Sequence, residues 1–228
     1  MAKSKVIAID GPSGSGKSTV AKKVAANLEL TYLDTGAMFR AIALYLTNKE
    51  VTSAETKKIA ELLEKLQFEY QPEESVLIRL DGVNLTEKIR EHHVSQLASK
   101  YSQVTEIRNY LKKMQREIAN VRPSILEGRD IGTVIFPDAA LKIFLTAKPE
   151  VRAQRRLEEL RERSPNESYE YQVILNDIVK RDQSDQNRAV APLVKADDAV
   201  EIDTSDKTIK MIIEEITSLF QDRKKDFY

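Results

Sequence analysis

Short apolar segments alternate along this chain with longer stretches whose apolar residues recur every three or four positions. The continuous apolar segments predict buried strands, which lie at 5–9, 30–33, 124–127, 141–145 and 199–202. The stretches with helical spacing predict helices at 17–29, 37–46, 105–121 and 207–220. Strands that alternate with helices in this order predict an α/β fold with a five-stranded parallel sheet and right-handed crossovers.

A different pattern interrupts this alternation between about residues 50 and 99. After one amphipathic helix, the segment contains strand-like runs at 68–70, 76–80 and 83–85, with Asp81-Gly82 as a turn signal between the last two. Because this small antiparallel pattern lies inside an otherwise βα order, we interpret residues 50–99 as an insertion. The core of a single domain would then comprise residues 1–49, 100–148 and 189–228.

Three of the seven glycines fall in one loop, between the first predicted strand and the first predicted helix. The loop consists of Gly11-Pro12-Ser13-Gly14-Ser15-Gly16-Lys17-Ser18, which matches the phosphate-binding pattern G-x-x-x-x-G-K-[ST]. Its backbone N–H groups and the N-terminus of the following helix form an anion site. In such a loop Lys17 reaches the terminal phosphates, and the Ser18 hydroxyl binds Mg²⁺. The sequence therefore predicts binding of a nucleoside triphosphate with Mg²⁺.

Composition argues against several other classes of protein. Lys and Arg (36) balance Asp and Glu (36), and this zero net charge argues against a dedicated nucleic-acid binder. No apolar run approaches the roughly 18 residues of a membrane span, and the apolar stretch near the N-terminus is too short for a secretory signal. The absence of Cys excludes disulfides, a thiolate nucleophile and a thiolate zinc site. We expect a cytoplasmic protein without a prosthetic group.

The class of nucleotide-binding protein follows from what accompanies the glycine loop. A GTPase would carry an Asn-Lys-x-Asp base reader, and the segment 48–51 does not match that pattern. The predicted strand that ends at 143–146 lacks the terminal acidic residue usual in motor ATPases. The chain is instead rich in arginine, whose guanidinium group binds phosphate with two hydrogen bonds. This composition suits phosphoryl transfer, which is catalysed mainly by positioning and charge stabilisation.

A charged segment after residue 148 combines two predicted helices, 149–163 and 167–183, separated by Pro165. The first helix contains five arginines, which are Arg152, Arg155, Arg156, Arg161 and Arg163. By itself such a helix could be a solvent face with internal salt bridges. After a complete phosphate-binding loop, we favour a mobile arginine lid over about 150–188. We expect Arg156 to contact the transferred phosphoryl group, with Arg152 and Arg161 as alternatives.

Four segments share an unusual density of Gly, Arg, Asp and hydroxyl residues. They are Gly11-Pro12-Ser13-Gly14-Ser15-Gly16-Lys17-Ser18-Thr19, Leu33-Asp34-Thr35-Gly36-Ala37-Met38-Phe39-Arg40, Glu127-Gly128-Arg129-Asp130-Ile131-Gly132-Thr133 and Asn187-Arg188-Ala189-Val190-Ala191-Pro192-Leu193. Together they resemble the motif set of the bacterial cytidylate kinases, over nearly the whole chain. Some members of that family have Gly in place of Ser18 and Ser in place of Thr35, and both differences keep or add a hydroxyl here. The resemblance implies a three-layer P-loop NTPase fold, with an insertion that binds the nucleoside monophosphate and a helical lid.

The resemblance also implies an activity, which is ATP-dependent phosphorylation of CMP and dCMP to CDP and dCDP. The implied ATP-binding residues are Gly11, Pro12, Ser13, Gly14, Ser15, Gly16, Lys17, Ser18 and Thr19, with Ser18 on Mg²⁺. The expected catalytic residues are Lys17, Arg129 and Arg156. Arg40 and Arg129 would hold the monophosphate, Thr35, Arg108, Asp130 and Arg188 would define the base pocket, and Ser99, Arg181 and Asp185 would lie near the sugar. Asp130 could accept from the cytosine amine or could instead orient Arg129 or Arg188.

The expected partners are ATP, CMP and dCMP, without nucleic acid or membrane, and we expect a monomer. Two other functions stay open on the sequence. The first is a kinase of the same fold that acts on AMP, UMP or a non-nucleotide alcohol. The second is a nucleotide-sensing module without turnover, which would be expected to lack Lys17 or the lid arginines.

Overall fold

The computed structural model of this chain describes residues 3–71, 77–163 and 165–227. In chain order the elements are β1 (Ser4–Asp10), α1 (Lys17–Leu28), β2 (Thr31–Asp34), α2 (Thr35–Asn48), α3 (Thr56–Lys65), β3 (Phe68–Gln71), β4 (Leu77–Leu80), β5 (Val83–Asn84), α4 (His92–Tyr101), α5 (Thr105–Val121), β6 (Ser124–Gly128), β7 (Ala139–Thr146), α6 (Pro149–Arg163), α7 (Tyr171–Asn187), β8 (Val200–Asp203) and α8 (Ile209–Asp222). A five-residue π-helical turn, Ile131–Ile135, lies between β6 and β7.

Strand β1 lies at the centre of a five-stranded parallel sheet with the order β2-β6-β1-β7-β8. Its residues from Val6 to Asp10 are all buried, because helices cover both faces of the sheet. Ile7 and Ile9 pack with α1 and α8 on one face, whereas Val6 and Ala8 pack with α5 on the other. This three-layer arrangement, with the glycine loop between β1 and α1, is the P-loop NTPase fold. It confirms the predicted parallel α/β sheet.

The segment 50–99 contains the small antiparallel sheet that the change of pattern predicted. Strands β3, β4 and β5 pair in that order. Helices α3 and α4 share a hydrophobic core with β3 and β4 and with α2 and α5. The Tyr70 hydroxyl on β3 accepts a hydrogen bond from the backbone N–H of Asp34 (2.9 Å). This contact joins the insertion to the carboxyl end of β2. The predicted second strand began at Val76, which lies outside the described residues.

Helices α6 and α7 form the two-helix segment predicted around Pro165, but the bounds predicted for the second helix are wrong. Helix α7 runs over Tyr171–Asn187, not over 167–183. Ile174 and Ile178 pack with Leu157 of α6, and these contacts set which face of α7 is buried. The helix extends beyond residue 183 because Asp185, in its last turn, is buried and paired with arginine.

Two local differences from the sequence pattern lie next to the carboxyl ends of the strands. Helix α2 begins at Thr35, before the predicted start at 37, because Asp34 Oδ1 accepts a hydrogen bond from the Ala37 N–H (2.7 Å) and caps the helix. The π-helical turn after β6 has no counterpart in the predicted elements, and such turns occur often at functional sites.

Within the described part of the chain, no helix has the length and apolar character required to cross a bilayer.

Candidate active site

The loop between β1 and α1 forms a cradle whose backbone requires glycine at two positions. Gly11 has a φ of +147°, and a Cβ there would lie 1.9 Å from the Leu145 carbonyl oxygen of β7. Gly16 has a φ of +88° and immediately precedes the first residue of α1. The N-terminus of α1 therefore begins directly at the loop, where its backbone N–H groups are available to a bound anion.

Lys17, the first residue of α1, is buried at the base of this cradle. Its Nζ donates a hydrogen bond to the Pro12 carbonyl (2.6 Å) and lies 3.4 Å from the Ser15 hydroxyl. Burial and the positive charges of Arg129 and Arg181 lower the pKa of Lys17 to about 7. A bound phosphate would favour the charged form of Lys17. Lys17, Arg129 and Arg181 together therefore form a positively charged cluster that suits a negatively charged polyphosphate.

An acidic residue that the sequence analysis missed lies beside the cradle. Glu127 is buried at the end of β6, the strand next to β1, where it accepts a hydrogen bond from the Tyr32 hydroxyl (2.6 Å) and interacts with the Ser18 hydroxyl. Burial raises the pKa of its carboxyl group, and the charge of Lys17 opposes that shift. In the sequence, such an acid was expected only at the end of the predicted strand 143–146. The signal was present one predicted strand earlier, where an apolar run also ends in an acidic residue.

Ser18 and Glu127 together form a pair of oxygen ligands suited to Mg²⁺. Mg²⁺ is usually held by one or two protein oxygens together with substrate phosphates and water. The Ser18 side chain is exposed at the mouth of the cradle, whereas the Glu127 carboxylate is buried behind it. The donor chemistry of this pair therefore fits the expected metal.

The first two turns of α2 contain two of the predicted substrate-binding residues. Thr35 Oγ1 donates a hydrogen bond to the Glu127 carbonyl (2.6 Å), which holds the start of α2 against β6. Arg40 NH2 donates to Asp34 Oδ2 (3.1 Å), the carboxylate that also caps α2. The Arg40 Nε is buried and has no hydrogen-bond partner among the described residues. Arg40 thus keeps one donor for a ligand.

Five of the predicted residues form one largely buried network of ion pairs. Arg129 Nε donates to Asp185 Oδ2 (3.0 Å), and Arg188 NH1 lies 3.8 Å from Asp185 Oδ1. Asp130 Oδ2 accepts from Arg108, and Asp130 Oδ1 lies 3.6 Å from Arg188 NH2. Burial alone would raise the pKa of Asp185, but the charge of Arg129 lowers it below its ordinary value. Because both Asp130 oxygens face guanidinium groups, the geometry favours an orienting role for Asp130.

A cavity of about 140 Å³ lies beside this network. Its lining includes Phe39, Arg108, Gln115, Ile135 and Val190. The guanidinium carbon of Arg108 lies 5.5 Å from the centroid of the Phe39 ring. Gln115 Oε1 is a buried acceptor without a partner in the described part of the chain. Apolar side chains combined with a few convergent polar groups are typical of pockets that bind small molecules.

Arg152 and Arg156 occupy the same helix but have different partners. Arg152 is 3% exposed, donates to the Ser13 carbonyl of the cradle (3.1 Å) and pairs with Asp182 of α7. All three guanidinium nitrogens of Arg152 donate to protein groups, which leaves no nitrogen without a protein partner and disfavours Arg152 as the arginine that contacts the phosphoryl group. Arg156 forms an ion pair with Glu159 (2.8 Å) at a more exposed position.

Arg181 of α7 connects the lid electrostatically with the rest of the site. Burial and the charge of Arg129 lower the pKa of Arg181 to about 10, and Arg40 and Arg156 add to that shift. Arg40, Arg129 and Arg156 are therefore close enough to Arg181 to disfavour its charged form. The Arg181 Nε has no hydrogen-bond partner among the described residues.

Ser99 and Thr19 lie at the edges of this arrangement. Ser99, on α4, is half-buried, and its carbonyl accepts a hydrogen bond from the Ser102 hydroxyl (2.9 Å). The Ser102 carbonyl in turn accepts from Arg108 (3.0 Å). Ser99 is thus connected to the arginine network through Ser102, which directly follows α4. Thr19 is exposed on α1.

Comparisons with known proteins agree with this geometry. The family model described as cytidylate kinase matches residues 7–222. The chain is 48% identical over 217 residues to the protein named cytidylate kinase from Fervidobacterium nodosum, covering 95% of this chain and 96% of that protein. It is 43% identical over 216 residues to the cytidylate kinase from Clostridium tetani, covering 95% and 93%. A solved structure of an uncharacterized protein from Eubacterium ventriosum has the same fold, with a TM-score of 0.50 at 15% identity, covering 96% of this chain and 99% of that one. On the sequence matches, the chain belongs to the cytidylate kinase family.

Proposed function

We propose that this chain transfers the γ-phosphoryl group of ATP, bound with Mg²⁺, to the phosphate of CMP or dCMP. Membership of the cytidylate kinase family makes the chain a kinase that phosphorylates CMP. The observation that carries the detailed proposal is the cation cluster of Lys17, Arg129 and Arg181, which lies where the glycine cradle meets the arginine–aspartate network. Two phosphate groups that approach each other need this concentration of positive charge between them.

ATP would bind with its phosphates in the cradle formed by residues 11–19. Lys17 would contact the terminal phosphates, since its Nζ lies at the base of the loop. Ser18 and Glu127 would hold Mg²⁺, which supplies charge neutralisation on the phosphate oxygens when it is bound there. Tyr32 keeps the Glu127 carboxylate in place through its hydrogen bond of 2.6 Å.

CMP would bind on the other side of the cation cluster. Arg40 and Arg129 would hold its phosphate, since each is already fixed by a carboxylate, Asp34 and Asp185 respectively. The base would enter the cavity beside Arg108. The base pocket would be defined by Thr35, Arg108, Asp130 and Arg188, and the sugar would lie near Ser99, Arg181 and Asp185.

The reaction itself needs little from the protein beyond placement and charge. The attacking atom is a phosphate oxygen of CMP, which is already anionic near neutral pH, so a strong general base is not required. Lys17 and Arg129 would stabilise the charge that spreads over the transferred group. Arg156 would join them when the lid, residues 150–188, closes over ATP and excludes water. The insertion, residues 50–99, would close over CMP in the same way, and we propose that a monomer in the cytoplasm carries out the whole reaction.

An assay of ADP release tests this proposal directly. Initial rates are measured with Mg²⁺–ATP and each of CMP, dCMP, UMP, AMP and GMP in turn. We expect CMP and dCMP to have the highest kcat/KM, and UMP to be lower by roughly 10²-fold or more, because two mismatched buried polar groups cost about 1–3 kcal/mol each. A preference for UMP or AMP would support another kinase of the same fold, and binding without ADP release would support a sensing module.

A further inference from the structure

One buried carboxylate next to the cradle has no part in the mechanism above. Asp10 is the last residue of β1, directly before Gly11, and its side chain is 5% exposed. Its Oδ1 accepts a hydrogen bond from the Ile131 N–H (2.9 Å), and its Oδ2 accepts one from the Gly132 N–H (2.8 Å). Both oxygens are thus used to hold the start of the π-helical turn.

This turn begins immediately after the substrate-binding pair Arg129-Asp130. Its other end is held by Arg116 of α5, whose Nε donates to the Ile135 carbonyl (2.8 Å). An anion at the N-terminal end and a cation at the C-terminal end are the charges that aligned peptide dipoles favour. The segment that follows Arg129-Asp130 is therefore anchored at both ends.

The fit around the turn leaves little room for adjustment. A Cβ at Gly132 would lie 3.1 Å from the Lys142 side chain and 3.4 Å from Asp10 Oδ2. A Cβ at position 132 would therefore press on the Lys142 side chain, whereas its distance to the carboxylate would be an ordinary van der Waals contact. The two hydrogen bonds from the Ile131 and Gly132 N–H groups to Asp10 set the distance between β1 and the turn.

We propose that Asp10 is a positioning residue, which fixes the Arg129-Asp130 segment relative to the phosphate cradle so that the two reacting phosphates meet in line. This inference rests on the proposed function. Asp10 is suited to the task because its backbone continues directly into Gly11 on the ATP side. Its side chain holds the residues that follow Arg129 and Asp130 on the CMP side.

The carboxylate is retained at an electrostatic cost. Burial raises the pKa of Asp10 to about 6, and the charge of Asp130 adds to the shift, whereas the two backbone N–H groups and Lys17 oppose it. An Asn at this position would avoid the buried charge. It offers only one acceptor oxygen, however, so its NH₂ group would face one of the two backbone N–H donors. Asp10→Asn should therefore loosen the turn without a large loss of stability.

The experiment compares Asp10→Asn and Gly132→Ala with wild type and with a matched control, Asp198→Asn. Asp198 pairs with Lys142 (2.8 Å), a neighbour of the same turn, but its side chain is 60% exposed. The measurements are kcat at saturating CMP and Mg²⁺–ATP, the Kd of ATP by calorimetry, and Tm. We expect kcat to fall by about 30-fold to 100-fold in Asp10→Asn, as a shift of about 1 Å at a reaction centre can cause. The fall should be smaller in Gly132→Ala, where the added Cβ presses only on the Lys142 side chain. The Kd of ATP should stay within about threefold of the wild-type value, as should kcat of the control.

Two outcomes would overturn the proposal. One is a kcat within about threefold of wild type in Asp10→Asn. The other is a kcat loss that only parallels a fall in Tm and in ATP affinity, since that result would make Asp10 a stabilising residue and no more. Failure of the proposed function would appear separately, as absence of CMP turnover by wild type and control. In that case the monophosphate that proves active replaces CMP in the same comparison.

Discussion

Replacing Lys17 by Met tests whether the cluster of Lys17, Arg129 and Arg181 lowers the free energy of unfolding. The pKa of Lys17 falls from 10.5 to about 7 on folding, and one pKa unit corresponds to about 1.4 kcal/mol. At pH 7.5 this difference destabilises the folded state by about 4 kcal/mol. Loss of the hydrogen bond to Pro12 would offset part of the gain, by about 1–1.5 kcal/mol, whereas the attraction to Glu127 is already contained in the shifted pKa. We therefore expect Lys17→Met to stabilise the protein by about 1–3 kcal/mol.

The direction of the pH dependence follows from the same shift. The unfolded chain keeps the Lys17 proton up to pH 10.5, whereas the folded chain releases it near pH 7. Raising the pH between these values therefore stabilises wild type relative to the variant, by up to about 1.4 kcal/mol per pH unit. The advantage of Lys17→Met should shrink steadily from pH 7.5 to pH 9.5.

The assay is thermal unfolding by calorimetry without nucleotide or Mg²⁺, at pH 7.5, 8.5 and 9.5, together with kcat at pH 7.5. For a chain of this length, 1 kcal/mol shifts Tm by roughly 2–4 °C, so Tm of Lys17→Met should rise by roughly 3–10 °C at pH 7.5. Its kcat should fall by at least about 10²-fold. Lys23→Met, at an exposed position of the same helix, is the control and should change neither value. A lower Tm for Lys17→Met, or near-normal turnover of the folded variant, would refute the reasoning.

The lid and the base pocket allow two further predictions. Arg156→Ala should lower kcat by about 10³-fold or more with little change in Tm, whereas Arg152→Ala should lower the free energy of unfolding by about 3 kcal/mol because it leaves the Asp182 carboxylate unpaired. Steady-state kinetics and urea unfolding check both, and a kcat within a few-fold of wild type for Arg156→Ala would contradict a catalytic lid arginine. Asp130→Asn should reduce the ratio of kcat/KM for CMP over UMP, and Arg188→Met should raise the KM for CMP but not for ATP. An unchanged ratio of kcat/KM for CMP over UMP in Asp130→Asn, together with an unchanged KM for CMP in Arg188→Met, would show that this network does not recognise the base.

The sequence predicted most clearly those features that depend on neighbours along the chain. The strand before Gly11 was recognisable because a central parallel strand is apolar on both faces. Pro165 correctly separated two helices, but the bounds of α7 depend on packing against α6 and on the pairing of Asp185, and neither is a local property. The start of α2 was misplaced because the cap by Asp34 was not recognised, although an acidic residue before a helix is a local signal.

Most residues of the candidate site were likewise predicted from contiguous segments of the sequence, and Glu127 was not. Lys17 and Ser18 follow from one contiguous motif, and Arg129, Asp130 and Arg188 were proposed from contiguous motifs that resemble a family. Glu127 was missed because only the segment that became β7 was considered as the source of a terminal acid, and β7 ends in threonine. Strands β6 and β7 both lie next to β1, and the structure shows that the acid beside the cradle is the one near the end of β6.

The amino-acid sequence by itself determined the glycine positions of the cradle, the buried central strand and the family to which the chain belongs. Gly11 and Gly16 are required by their own backbone torsion angles, and an apolar run is visible without knowledge of its partners. Only the tertiary structure decided that Asp10 holds the turn at Ile131, which is 121 positions away. Hydrogen bonds and ion pairs between distant segments depend on which strands are adjacent and how far each one extends, and no local pattern of residues encodes those distances.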